Sequence, residues 1–373
     1  MLPILVRAGR FESTYAAPNT IHLVYTLKRK VIMAKRILVP WKIMEIGKRH
    51  LDQSGAEIVM FHGPNGELLD TQEIVEQTRD ADVVLSCGGV PIPAEVLTAN
   101  PNLRGVANNG VGFNNIDIET ATQLGIPVSN TPGVLTDTTA DLTWALLMAA
   151  ARQIPQAHQY IVDGHWQGYG GKDFMGLDIG PGGSNRPKVL GIIGFGRIGQ
   201  GVMRRSQGFE MVVRAYDPPM KPIIDNTDGV EHCELDDLLK ESDFVTLHCP
   251  LTDQTHHLIS QRELELMKPT AVLVNASRGP VVDEAALVTA LREGQIAAAG
   301  LDVFEREPTL TAGLTELENV VMLPHIGSAS TDTREQMSLL AAKNAVIMLQ
   351  GNPPEQIVNP EVLEMSEYQQ RLK

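Results

Sequence analysis

An apolar run that empties into a glycine turn, Val189-Leu190-Gly191-Ile192-Ile193-Gly194-Phe195-Gly196-Arg197-Ile198-Gly199, constrains the fold of this chain more than any other feature. The pattern G-x-G-x-x-G after a strand and before a helix is what a dinucleotide pyrophosphate requires. Gly194 permits the tight turn, Gly196 lets backbone approach the phosphates, and Gly199 lets the next helix pack closely with its N-terminal amides facing the anion. Three glycines alone also fit a structural turn. A second apolar run, Met211 to Tyr216, ends in Asp217 about 20 residues downstream, where a carboxylate can accept both ribose hydroxyls. Asp217 would repel a 2′-phosphate and no Arg follows it directly, so NADH is favoured over NADPH.

The chain has 373 residues, too many for one ordinary core, so two domains are expected. After Met33, β-rich runs alternate with helical periods, the pattern of a parallel sheet with crossover helices. Strands are predicted over 36–39, 57–61, 82–86, 104–107 and 127–130, with helices over 43–53, 71–78, 93–99, 115–124 and 138–152, the last capped by Asp137. A second series follows over 189–193, 212–216, 244–248, 271–275, 297–301 and 320–323, six strands suited to a doubly wound Rossmann sheet. A long apolar helix over 331–350 is expected to return to the first domain. The predicted class is therefore α/β, with two Rossmann-like doubly wound parallel-sheet domains. Residues 136–327 form a nucleotide-binding domain inserted into a discontinuous substrate-binding domain, 33–135 and 328–373, with ligand in the cleft between them.

Residues 1–32 carry five basic side chains against Glu12 and read as an extension that is untranslated or disordered, with translation starting at Met33. An organellar targeting segment is the competing reading. The net charge of −14 disfavours nucleic acid and anionic membrane as partners. Cys87, Cys233 and Cys249 form neither a disulfide framework nor a zinc pattern, which suits a reducing cytoplasm. Adjacent His256 and His257 diverge on any regular element, so no metal site is expected. Asp236 and Asp237 read as charges in the first turn of a surface helix.

Three strand ends gather the chemistry. Arg278 follows the strand 271–275, where its planar fork can bind a substrate carboxylate, although an Arg pairing with a surface acid is an equal alternative. His325 follows the strand 320–323 and can move a proton near neutral pH. Glu307, after the strand 297–301, can fix one tautomer of that imidazole and raise its pKa. Taken singly, the histidine reads as a turn residue and the glutamate as solvated; their joint placement argues for a site.

The motifs Asn109-Gly110-Val111-Gly112-Phe113-Asn114-Asn115-Ile116-Asp117, Gly194 to Gly199, His248-Cys249-Pro250-Leu251-Thr252, Asn275-Ala276-Ser277-Arg278-Gly279, Gly300-Leu301-Asp302-Val303-Phe304 with Glu307-Pro308, and Pro324-His325-Ile326-Gly327-Ser328 occur in order. With them the chain from Met33 onward resembles the D-isomer-specific 2-hydroxyacid dehydrogenases. Residues 131–140 and 325–329 resemble the glyoxylate and hydroxypyruvate reductase branch most. The resemblance implies that Arg278, Glu307 and His325 are catalytic and that NADH reduces a small 2-oxo acid to the D-2-hydroxy acid with His325 as proton donor. It puts Gly88, Gly89, Gly110, Val111 and Gly112 beside Arg278 and His325 at the substrate. Thr139, Asp302, His325 and Gly327 fall at the nicotinamide end, and His248, Cys249 and Pro250 near the adenine. Phe195, Arg197, Ile198, Thr255, Ala276, Ser277 and Arg278 complete the implied cofactor set. It also implies a homodimer, through the helix 138–152 and the segment after it. Neither substrate loop, 86–93 nor 108–115, carries Lys or Arg, which disfavours a phosphorylated substrate. An NAD-sensing corepressor on the same scaffold, another D-2-hydroxyacid dehydrogenase and a phosphite dehydrogenase are the other readings.

Overall fold

Short β-branched runs bounded by Gly, Pro and Asn are buried on both faces when helices cross over between them, and the computed structural model shows this arrangement twice. It describes residues 35–61, 70–87, 89–168 and 173–372, so the expectations for residues 1–32, the start at Met33 and Gly88 fall outside the described residues. Strands β1 (Arg36–Val39), β2 (Glu57–Met60), β3 (Val83–Cys87), β4 (Gly105–Asn109) and β5 (Val128–Ser129) form a parallel sheet in the order β2-β1-β3-β4-β5. Strands β6 (Val189–Ile193), β7 (Val212–Tyr216), β8 (Val230–His232), β9 (Phe244–Leu247), β10 (Val272–Asn275), β11 (Ala298–Leu301) and β12 (Val320–Met322) form a second, in the order β12-β11-β10-β9-β6-β7-β8.

The second sheet has seven strands where the sequence predicts six. The addition, β8, is three residues long and pairs only with β7, so Val230-Glu231-His232 shows little apolar alternation. Consecutive residues of each sheet feed opposite cores: Leu190 and Ile192 pack with Trp144 and Val202, whereas Ile193 packs with Leu238 and Leu287.

Helix Thr136–Ala151 packs on β10 and β11, while helix Thr331–Leu349 packs on β3 and β4, as its apolar length predicts. The two meet at their first turns, where Thr138 and Thr333 share a hydroxyl hydrogen bond of 2.5 Å. The first helix starts two residues earlier than predicted, and Asp137 is not its cap: it lies in the first turn and pairs with Arg204 and Arg205. Helix Ile154–Val162, which is not predicted from the sequence, has Pro155 in its first turn and no buried residue. The C-terminal segment covers the β5 edge, with Val358 donating its amide to the Val128 carbonyl and Asn359 Oδ1 accepting from the Val128 amide. Among the described residues no helix is long and apolar enough to cross a membrane.

Candidate active site

The seven-stranded order reverses between β6 and β9, and the glycine turn lies there. Gly194 has φ +92°, and a β-carbon on it would lie 2.5 Å from the His248 carbonyl carbon. A β-carbon on Gly199 would overlap the Gly194 carbonyl oxygen, so this glycine sets how closely helix Arg197–Ser206 packs. Gly196 has open space around it and caps that helix, which leaves its face free for an anion at the helix N-terminus. Arg197 is exposed and Ile198 half-buried. The Phe195 ring is fully buried, and its amide donates to Asp217 Oδ2 at 2.7 Å. The predicted ribose acceptor thus sits at the end of β7 beside the turn, with its other oxygen accepting from the Met220 amide at 3.3 Å.

On the opposite side of the switch point, burial pushes the His248 imidazole down to about 3 and the Cys249 thiol up to about 11. Neither His248 ring nitrogen has a hydrogen-bond partner. Pro250 is exposed; its carbonyl accepts from the Thr255 hydroxyl at 2.6 Å, which places Thr255 in closing this turn.

Parallel register brings the ends of three strands together. Asn275, Leu301 and Met322 stand side by side on β10, β11 and β12, and Arg278, Asp302 and His325 follow within three residues of those positions. Glu307 comes from the loop after β11. Its Oε2 lies 2.8 Å from His325 Nδ1, and its Oε1 accepts from the Phe304 amide at 3.0 Å. Burial raises the Glu307 carboxyl, but the bond and charge of His325, the Phe304 amide and the Arg278 charge outweigh it and hold the group below its usual range. His325 is half-exposed and has φ +53°, a conformation uncommon outside glycine. Asp302 holds it there: its Oδ1 and Oδ2 each accept at 2.7 Å, from the Ile326 and Gly327 amides, and its own carbonyl accepts from the His325 amide. Burial keeps the Asp302 carboxyl above its usual range despite those amides. Thr139 packs against the same spot, since a β-carbon on Gly327 would meet both Asp302 and Thr139.

Arg278 donates Nη1–H to the Ser277 carbonyl at 2.6 Å and Nε–H to Asn114 Oδ1 at 3.3 Å. Ser277 in turn is tied to Asn275 Oδ1 through its amide and hydroxyl, beside the nearly buried Ala276. A β-carbon on Gly112 would overlap Arg278 Nη2, so the 110–112 loop of the first domain lies directly on the guanidinium. Burial lowers the Arg278 pKa, with Glu307 opposing.

Asn108 Nδ2 donates to the Gly110 and Gly112 carbonyls, and Asn130 Nδ2 to that of Val111. In a trans peptide the next N–H points the other way, so these bonds turn the Val111, Gly112 and Phe113 amides outward. Gly89, at φ +77°, starts from open space. Sequence reasoning missed Asn108, Asn114 and Asn130 because an amide signals nothing until its partners are known. Asn114 also donates to the Leu251 carbonyl at 3.3 Å and so bridges the two domains.

Elsewhere, His257 Nε2 meets Glu305 Oε1 at 2.6 Å beside the stacked His256 ring, and Asp236 and Asp237 open helix Leu235–Glu241. Among the described residues no three His, Cys, Asp or Glu side chains converge as a metal site.

A glycine turn at the switch point, with a cation, an acid and an imidazole at three adjacent strand ends, defines a dinucleotide-binding oxidoreductase scaffold. Residues 144–327 match the family described as D-isomer specific 2-hydroxyacid dehydrogenase, NAD binding domain. The chain is 47% identical over 297 residues to a glyoxylate reductase of Thermococcus litoralis, covering 79% of this chain and 88% of the relative. It is 44% identical over 335 residues to one of Thermococcus onnurineus, 89% and 98% of the two chains. A crystal structure of an NADPH-dependent glyoxylate/hydroxypyruvate reductase from Sinorhizobium meliloti, in complex with NADP and malonate, superposes with TM-score 0.76 at 34% identity over 87% of this chain and 97% of that one. The TT0316 protein of Thermus thermophilus gives 0.77 at 38%, over 87% and 99%. The chain belongs to the D-isomer-specific 2-hydroxyacid dehydrogenase family and is an oxidoreductase with an NAD(P)-binding domain.

Proposed function

We propose that the protein reduces a small 2-oxo acid, glyoxylate or hydroxypyruvate, to the D-2-hydroxy acid with NADH, using residues 136–327 for the cofactor and residues 33–135 with 328–373 for the substrate. The observation that carries this reading is the 2.8 Å pair of His325 Nδ1 and Glu307 Oε2 beside an Arg278 held against Gly112. The open face of Gly196 would take the pyrophosphate of the dinucleotide, whose reduced nicotinamide would supply a hydride. Arg278 clamps the substrate carboxylate, assisted by the outward amides of Val111 and Gly112, and polarises the ketone. Because Glu307 engages Nδ1, Nε2 is the nitrogen that delivers a proton to the developing alkoxide. Asp302 keeps the turn that aims it.

Asp217 favours NADH, since its charge opposes a 2′-phosphate. The relatives named glyoxylate reductase support the substrate class. Ile154, Ile161, Val162, Trp166 and Met175 are exposed on and after helix Ile154–Val162, apolar surface that suits a homodimer. The test is turnover by the full chain with a panel of 2-oxo acids and both cofactors, beside its mass in solution. Glyoxylate or hydroxypyruvate reduction favouring NADH is expected, with Asp217→Ser eroding that preference. Tight NADH binding without turnover would replace the enzyme by a sensor.

A further inference from the structure

The loop carrying Glu307 is fastened by a second pair of glutamates that the proposed reaction does not use. Glu284, only 2% exposed, is the first residue of helix Glu284–Glu293. Its Oε1 accepts from the Glu305 amide at 2.7 Å and its Oε2 from the Thr311 hydroxyl at 2.5 Å. Glu305 answers in kind: its Oε2 accepts from the Glu284 amide at 3.3 Å, and its Oε1 holds His257 Nε2.

A carboxylate withdrawn from water is costly unless its lone pairs are filled, and here both oxygens are filled by the segment that brings Glu307 to His325. Glu305 lies two residues before Glu307 and Thr311 four after it, so one side chain grips the loop on both sides of the reactive acid. The grip continues into the backbone, where Gly279, next to Arg278, has no room for a β-carbon beside the Phe304 carbonyl. Glu284 therefore joins the loop of Glu307 to the segment that begins at Arg278.

We infer that Glu284 is a positioning residue for the Glu307–His325 pair, setting the acid's distance from the imidazole through Glu305 and Thr311. The inference rests on the reading of His325 as proton donor. What it predicts is a loss of proton delivery, with cofactor binding intact.

Glu284→Ala, Glu284→Gln and Thr311→Val in the full chain test it, each beside Glu307→Gln. Glu284→Ala should lower kcat about 10- to 100-fold, the scale of a displaced acid–base pair. The KM for glyoxylate and the Kd for NADH should stay near wild type, and the alkaline limb of the kcat–pH profile should move to lower pH, as in Glu307→Gln. Combining Glu284→Ala with Glu307→Gln should cost no more than Glu307→Gln alone, because both act through one pair. Glu284→Gln should be nearly normal: its amide oxygen can accept from Glu305 and its NH₂ can donate to Thr311. Thr311→Val, which leaves the buried carboxylate in place, should shift the profile in the same direction but less. It carries the test if Glu284→Ala does not fold. Folded variants with an unmoved profile, or losses that multiply in the double variant, would overturn the inference while a shifted Glu307→Gln leaves the proton-donor reading standing. An unshifted Glu307→Gln would overturn both.

Discussion

Gly112→Ala separates the placement of Arg278 from the fold around it. A β-carbon on Gly112 would overlap Arg278 Nη2 and lie 2.5 Å from Cζ. Carbon atoms settle at about 3.5–4.0 Å, so the guanidinium must retreat by about 1 Å or more. It cannot do so and keep both the 2.6 Å bond to the Ser277 carbonyl and the 3.3 Å bond to Asn114. A misplacement of about 1 Å at a substrate-orienting group costs roughly 100-fold, or about 2.7 kcal/mol of transition-state stabilisation.

The backbone gives no such objection, because Gly112 is not among the positive-φ glycines and the clash is with the end of a long side chain. The expected result is therefore a folded protein with an ordinary melting temperature, unaltered NADH affinity and kcat/KM for glyoxylate down about 100-fold. Initial rates of NADH oxidation, cofactor fluorescence titration and thermal melting measure the three quantities. If Gly112→Ala keeps near-normal kcat/KM while Arg278→Ala loses it, the close approach of the loop does not set the clamp.

Glu307→Gln should depress kcat most at high pH, where an imidazole without a carboxylate partner is neutral, and an unchanged pH–rate profile refutes that role. Since the Glu307 carboxyl lies below its usual range in the fold, its contribution to stability is complete above the ordinary glutamate value and fades as pH falls through the lowered one. Melting temperatures of Glu307→Gln and wild type should therefore converge in acid. His248 works in the same direction for the opposite reason. It stays neutral in the fold down to about 3 but takes up a proton near its ordinary 6.5 when unfolded, so folding weakens as pH falls between those values. His248→Leu should flatten that part of the melting curve, and an equally steep dependence in the variant counts against burial as the cause.

The strands and their functional ends were legible because they rest on local signals. Apolar runs ending in Gly194, Asp217, Arg278 and His325 mark both the element and the place where it stops. What stayed hidden depends on distant partners. Asn114 resembles any loop amide until Arg278 and Leu251 arrive more than 130 residues later, and Glu284 resembles an ordinary first-turn acid until Thr311 closes over it. Strand β8 and helix Ile154–Val162 escaped for a different reason: one is an edge of three residues, and the other is a short helix behind a proline with no fully buried residue, so no core marks either of them.

That contrast divides the site by its physical origin. Arg278, Asp302 and His325 follow positions that are neighbours in one sheet, about 4.8 Å apart from strand to strand, so pairing alone brings them together. Their mutual geometry belongs to the second domain. The Gly110–Gly112 loop belongs to the first and meets Arg278 where Asn114 and the Thr138–Thr333 contact also join the two domains. Changes in the 86–93 and 108–115 loops should therefore alter which 2-oxo acid is held, appearing in KM and in relative kcat/KM between substrates. Changes at the strand ends should alter how the proton moves, appearing in the pH profile for every substrate alike.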